Sequence, residues 1–170
     1  MNKYSHLIWD WNGTLLDDTT HCMEVMNEML RKRSMPMMNS IADYHQAFVF
    51  PIAQYYKNVG FDFEKESFEE LAMEFIDGYH ADKTGNSPLH SGVENLLKTI
   101  NDMGITQIIL SASKQENLWL QVGEFPIQHY FDEMLGLSDI YAKSKVDIGL
   151  NYIENSNVEK AVLIGDSTHD

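Results

Sequence analysis

Three short apolar runs, each ending on a polar or acidic residue, constrain this chain more than any other feature. Leu7-Ile8-Trp9 leads into Asp10, Ile108-Ile109-Leu110 into Ser111, and Ala161-Val162-Leu163-Ile164-Gly165 into Asp166. Runs of this kind, separated by segments of helical period, read as strands of a parallel sheet buried on both faces. In open α/β sheets ligands bind beyond the carboxyl ends of the strands. The three polar residues are therefore expected at one sheet edge around one crevice, unless they are three unrelated strand ends, which spacing alone does not distinguish.

Between the first two runs the pattern changes. From about Asp17 to about Pro88 there is little sign of buried strands, and helical periods are expected over Thr20 to Arg33, Ser40 to Phe48, Ile52 to Val59 and Lys65 to His80. In the last of these Phe68, Leu71, Ala72, Phe75, Ile76 and Tyr79 recur at helical spacing and make an amphipathic stripe. Gly85-Asn86-Ser87-Pro88 breaks the chain. A helix then starts near Ser91, with Glu94 three residues on in capping-box spacing, and ends at Gly104. The simplest organisation is an α/β core from residues 1–16 and 89–170 interrupted by a helical module over 17–88. The methionines of that module (Met23, Met26, Met29, Met35, Met37, Met38 and Met73) are read as adaptable core, with no cofactor role.

Composition excludes several function classes. With 170 residues, 44% hydrophobic and 22% charged, the chain has enough apolar material for a folded core. Its formal charge of -14 has the wrong sign for clamping a nucleic-acid backbone, and the one basic cluster, Arg31-Lys32-Arg33, is expected to be a solvated helix end. A single cysteine, Cys22, excludes an internal disulfide and a multi-cysteine zinc site and is consistent with a reducing compartment. Met1 to His6 lacks an apolar core of the kind a signal peptide needs, and stretches such as Ala47 to Ala53 are too short to cross a bilayer. A cytoplasmic globular protein with no membrane partner is expected.

Two motifs carry chemistry. Asp10-Trp11-Asn12-Gly13-Thr14-Leu15 follows the first run, where Gly and Thr after a strand-end carboxylate allow a tight loop whose backbone N–H groups surround an anion. Gly165-Asp166-Ser167-Thr168-His169-Asp170 follows the last run; its two carboxylates, beside Asp10, make an oxygen-rich site for Mg2+, or else Asp166 or Ser167 caps a helix start. Taken in order, Asp10, Thr14, Ser111, Lys145 (or Lys143), Asp166 and Asp170 resemble the motifs of the haloacid dehalogenase superfamily, and the resemblance covers essentially the whole chain. It implies a Rossmann-like parallel-sheet core with an inserted α-helical cap over 17–88. The join Pro88-Leu89-His90-Ser91-Gly92-Val93-Glu94 resembles the return from cap to core in the phosphoglycolate phosphatase-like and phosphonatase-like members.

The resemblance implies roles residue by residue. Asp10 would be the nucleophile that forms an aspartyl-phosphate. Asp10, Asp166 and the backbone carbonyl of Asn12 would hold Mg2+, with Asp170 in or just outside that shell. Ser111 and a lysine would bind the phosphoryl group, and backbone N–H groups from Trp11 to Gly13 and at Ala112 would complete the cradle with Thr14. Lys145 is preferred over Lys143, because Ser144 as N-cap of a helix from Val146 to Glu154 would put Lys145 in its first turn.

The departure lies at Asn12. Family phosphatases carry Asp there as the general acid-base, and an amide can neither give nor take the proton. Such a loss typically costs about 10²- to 10⁴-fold. The resemblance thus implies a Mg2+-dependent hydrolase of small phosphorylated metabolites that is slow or restricted to good leaving groups. The alternatives are a pseudophosphatase that binds phosphorylated ligands without turnover, or a phosphonatase-like C–P hydrolase, whose first motif D-W-A-G-T is similar to this one but which needs a cap lysine. The Asn12-Gly13 step is also prone to deamidation, which would create the missing acid. The 13 acidic and 6 basic residues from Asp17 to Pro88 do not suggest a highly anionic substrate. A family core normally continues past the last motif, so this chain is either a piece of something longer or lacks one edge of its sheet; monomer and homodimer both stay open.

Overall fold

Four parallel strands, β1 (His6–Trp9), β2 (Thr106–Lys114), β3 (Glu133–Leu137) and β4 (Ala161–Ile164), form one sheet in the order β3-β2-β1-β4. The computed structural model describes residues 3–81, 87–138 and 145–167. Among these residues the helices are α1 (Thr19–Lys32), α2 (Ile41–Ala47), α3 (Ile52–Asn58), α4 (Phe68–Ala81), α5 (Val93–Asp102), α6 (Gln115–Val122) and α7 (Val146–Asn155). The chain divides into two compact units, one of residues 1–17 and 89–170 and the other of 18–88.

In the α/β unit, β1 is buried along its whole length and lies between β2 and β4, with Ile8 opposite both Ile108 and Leu163. Successive side chains of a strand point to opposite faces, and both faces here are covered. Leu7, Trp9 and Ile109 pack with Val93, Leu97 and Ile100 of α5 and Leu118 and Val122 of α6. Ile8, Ile108 and Leu110 pack on the other face with Ile148 and Tyr152 of α7. Double coverage is why these strands are apolar at nearly every position. On the first face the Trp9 indole donates to Gln107 Oε1 (3.2 Å) while Gln107 Nε2 donates to the Leu97 carbonyl (2.9 Å), so the buried amide is satisfied. α7 comes close to β2 at Gly149, where a Cβ would stand 2.8 Å from Leu110 Cδ2.

Several sequence expectations need correction. β3 was not expected: Glu133-Met134-Leu135-Gly136-Leu137 begins exposed at the sheet edge and has no continuous apolar run. β2 does not stop at Leu110 but continues through Ser111 to Lys114, with an irregularity in its pairing to β3 between Leu110 and Lys114. Ser91 and Glu94 form no capping box; the N-cap position of α5 is Gly92, at φ +87°, and no side chain caps it. α7 begins at Val146 as expected, but Lys145 takes the N-cap position in place of Ser144, which lies outside the described residues.

The helical unit has its own core of Met26, Met29, Leu30, Tyr44, Tyr55, Tyr56, Phe61 and Leu71. The amphipathic stripe of α4 turns Leu71 and Ala72 inward, and Ser40 caps α2 by accepting from the Asp43 N–H. Arg33 is not the solvated helix end that its basic neighbours suggest. It makes two bonds to Glu66 (2.7 and 2.6 Å), one to Glu74 (2.7 Å) and one to the Met29 carbonyl (2.9 Å), and its guanidinium lies over Phe61. Arg31 and Lys32 are the exposed members of the cluster. None of the described helices is long and apolar enough to cross a membrane.

Candidate active site

Three adjacent strands deliver the polar residues to the carboxyl end of the sheet: Asp10 follows β1, Ser111 lies in the last part of β2, and Asp166 follows β4 by two residues. The Asp10 N–H donates to the Ile164 carbonyl (2.9 Å), so the β1–β4 pairing carries on into the site. The chain then turns sharply, with the Trp11 carbonyl accepting from the N–H groups of Thr14 (3.3 Å), Leu15 (3.0 Å) and Leu16 (3.0 Å). Trp11 anchors this turn, because its fully buried indole donates to Gln121 Oε1 on α6 (3.1 Å) and packs edge-on against Phe125. His90 Nε2 lies 3.1 Å from the Gly13 carbonyl, and His90 Nδ1 faces Asp17 at 3.7 Å.

Gly13 is required twice. Its φ of +74° is costly for other residues, and a Cβ there would stand 2.5 Å from Asp166 Oδ2. The missing side chain is what lets the Asp166 carboxylate lodge against the turn, where Thr14 Oγ1 donates to Asp166 Oδ1 (3.3 Å).

Lys145 Nζ lies 2.5 Å from Asp10 Oδ1, and the lysine is 3% exposed. This placement works against stability. A cation at a helix N-terminus meets the positive end of the helix dipole, and taking an ion pair out of water costs several kcal/mol per ion. Buried charges held at such a cost are a mark of functional sites. Lys143 lies outside the described residues.

Ser111 is buried, and its Oγ accepts from the Ser113 N–H (3.1 Å). The Ser113 hydroxyl in turn donates to Asn12 Oδ1 (2.8 Å). Ala112 lies between the two serines and is half-buried. The expected residues thus fall into linked groups, Lys145 with Asp10, Asp166 with Gly13 and Thr14, and Asn12 with Ser111 through Ser113, which was not expected. Asp170 lies outside the described residues, and within them no group of three or more His, Cys, Asp or Glu side chains stands ready to hold a metal. Sequence reasoning missed Ser113, Gln121 and His90. For Ser113 the signal was available, since it follows Ser111 by two residues in a strand and shares its face.

Comparison with known proteins agrees with this architecture. The chain resembles a predicted phosphatase from Clostridium acetobutylicum (22% identity, TM-score 0.75, covering 99% of this chain and 79% of that one). It also resembles a haloacid dehalogenase-like family hydrolase from Streptococcus pneumoniae (17%, TM-score 0.82, 100% and 79%). A third is a predicted phosphoglycolate phosphatase from Haemophilus somnus (16%, TM-score 0.80, 100% and 80%). At these identities the likeness is one of fold. No curated protein matches the chain. Residues 7–170 match the haloacid dehalogenase-like hydrolase family, and the chain belongs to it.

Proposed function

We propose that this chain is a Mg2+-dependent phosphatase of small phosphorylated metabolites that works through an aspartyl-phosphate on Asp10. The observation that carries the reading is the buried pair of Asp10 and Lys145 at the end of the central strand. Family membership and the names of two similar structures, a predicted phosphatase and a predicted phosphoglycolate phosphatase, support a phosphate ester as the bond broken.

In the first step an Asp10 carboxylate oxygen attacks phosphorus and the bond to the ester oxygen breaks. The leaving oxygen departs with the electron pair and takes its proton from solvent, because Asn12 has none to give. In the second step water attacks phosphorus, the bond to Asp10 breaks, and the surplus proton leaves to solvent. Lys145 balances the charge that nucleophile and phosphoryl group share, and Ser111 donates to a phosphoryl oxygen. The donor set fits magnesium: Asp10, the Asn12 carbonyl and an Asp166 carboxylate admitted by Gly13 are all oxygen ligands, the preference of a hard cation. The ion would offset the negative charge of carboxylates and phosphate.

Asn12 limits both steps, so substrates with good leaving groups are favoured. The same residue supports a second reading, a pseudophosphatase that binds phosphorylated ligands without turnover. Phosphate release from p-nitrophenyl phosphate and a panel of sugar, nucleotide and glycolate phosphates separates them, with intact mass verifying the amide at position 12. Turnover lost in Asp10→Asn and without Mg2+, and raised about 10²-fold or more in Asn12→Asp, supports the phosphatase. A silent wild type that Asn12→Asp activates supports the binding protein, and activity that persists in Asp10→Asn refutes both.

A further inference from the structure

We infer that His90 is a positioning residue for the magnesium end of the site, holding the Gly13 turn in the shape against which the Asp166 carboxylate rests. The inference rests on the reading of Asp166 as a Mg2+ ligand.

A glycine at positive φ admits that carboxylate, but glycine also has the widest conformational freedom of any residue, so Gly13 on its own does not fix the turn. The peptide that joins it to Thr14 is held at both ends. Its N–H donates to the Trp11 carbonyl at 3.3 Å, and its carbonyl oxygen lies 3.1 Å from His90 Nε2. A carbonyl has no hydrogen to give, so Nε2 carries it and the ring is the donor. Asp17 Oδ2 stands 3.7 Å from Nδ1, outside hydrogen-bond range, so the bond to Gly13 is the one that fixes the tautomer.

His90 is itself placed by the segment it supports. Its N–H donates to the Leu15 carbonyl (3.0 Å), and Leu16 and Leu89 form an antiparallel bridge, so the imidazole reaches back two residues from Leu15 to Gly13. The residues on either side of the held peptide both meet Asp166. Thr14 Oγ1 donates to its Oδ1 (3.3 Å), and its Oδ2 lies 2.5 Å from where a Gly13 Cβ would stand. Rotation of that peptide therefore moves the Thr14 hydroxyl and reshapes the space the carboxylate occupies. His90 sets the affinity for Mg2+ without being a ligand.

The test is a calorimetric titration with Mg2+ of wild type, His90→Ala, His90→Gln and Asp166→Asn, with the Gly13–Thr14 peptide observed by NMR. Glycine followed by threonine occurs once in the sequence, so ¹³C′-glycine with ¹⁵N-threonine labelling gives a single correlation. The imidazole is half-buried, and its truncation leaves no sealed cavity, so the fold is expected to survive. In His90→Ala the Mg2+ dissociation constant is expected to rise about tenfold, the effect of about one hydrogen bond, and the Gly13 carbonyl signal to move. Gln carries an N–H donor the same number of bonds from Cα as His Nε2, so His90→Gln returns both readouts towards wild type. Affinity unchanged in His90→Ala, an equal loss in both His90 variants, or a Gly13 signal that does not move overturns the inference. A wild type that binds no Mg2+, or Asp166→Asn that binds it as well as wild type, removes the magnesium reading instead. A Gly13 signal that moves in His90→Ala and recovers in His90→Gln then upholds His90 as the residue that positions the turn, and one that does not overturns that as well.

Discussion

Replacing Lys145 with Met removes one charge of a buried pair and leaves the other. At 2.5 Å and an effective dielectric near 20 the Coulomb attraction is about 7 kcal/mol, most of which offsets desolvation of the two ions. Deleting one partner of such a pair typically costs about 3–5 kcal/mol. The loss has a ceiling, because Asp10 deprived of the Lys145 charge can take up a proton. Against an ordinary carboxyl value near 3.9, that route costs about 4 kcal/mol at pH 7 and about 1.5 kcal/mol at pH 5. The sign follows from linkage: in the variant the folded state raises the Asp10 carboxyl above its unfolded value and holds the extra proton, so its stability deficit grows as pH rises. Trp9, Trp11 and Trp119 all lie in the α/β unit, so tryptophan fluorescence during urea unfolding reports that unit selectively. Without added divalent cation, Lys145→Met is expected to lose about 3–4 kcal/mol at pH 7 and no more than about 1.5 at pH 5, and Asp10→Asn in the same chain is expected to recover most of the loss. A deficit below about 1 kcal/mol at pH 7, or one that does not shrink at pH 5, refutes the argument.

Gly13→Ala is expected to keep the far-ultraviolet circular dichroism of the fold but weaken Mg2+ binding by calorimetry at least about tenfold, because the new Cβ would displace the Asp166 carboxylate. Arg33→Met is expected to destabilise the helical unit by about 1 kcal/mol, followed at 222 nm, a value kept low because the glutamates are partly solvated. Bonding to Arg33 holds Glu66 and Glu74 below the usual carboxylate range. Their contribution is therefore present above the ordinary glutamate value and is lost as pH falls through the depressed one, so the Arg33→Met deficit should vanish in acid. The Tyr55 hydroxyl is buried with no hydrogen-bond partner among the described residues, and burial raises its pKa. Tyr55→Phe should accordingly be neutral or stabilise by about 1 kcal/mol in thermal unfolding, and a clear loss would reveal a bond that the hydroxyl makes.

What the sequence made legible follows burial. Leu7-Ile8-Trp9 and Ile108-Ile109-Leu110 were readable because a parallel strand covered on both faces needs apolar side chains at every position. Glu133 to Leu137 was not, because an edge strand with an exposed start lacks that requirement. Ser91 and Glu94 have capping-box spacing, yet the left-handed Gly92 between them takes the cap position, a backbone choice that spacing does not encode. At the candidate site, strand ends are local features and could be placed from the sequence. The bonds among them could not: Lys145 meets Asp10 across 135 positions and Ser113 meets Asn12 across 101. Such pairings are settled by how the whole sheet assembles. Arg33 shows the same limit, since its partners lie 33 and 41 residues on.

The central position of β1 carries a consequence for how the chain is made. His6 is opposite Thr106 on one side and Ala161 on the other, so β1 pairs with nothing close to it in sequence. At about 5–20 residues per second, β4 is synthesised roughly 8–30 s after β1. Until β2 follows, Leu7, Ile8 and Trp9 form an apolar segment on a growing chain, while residues 18–88, a contiguous stretch with its own core, are completed. Residues 18–88 are thus synthesised whole before either neighbour of β1, and over that span β1 is an apolar segment of the kind that makes a nascent chain dependent on chaperones.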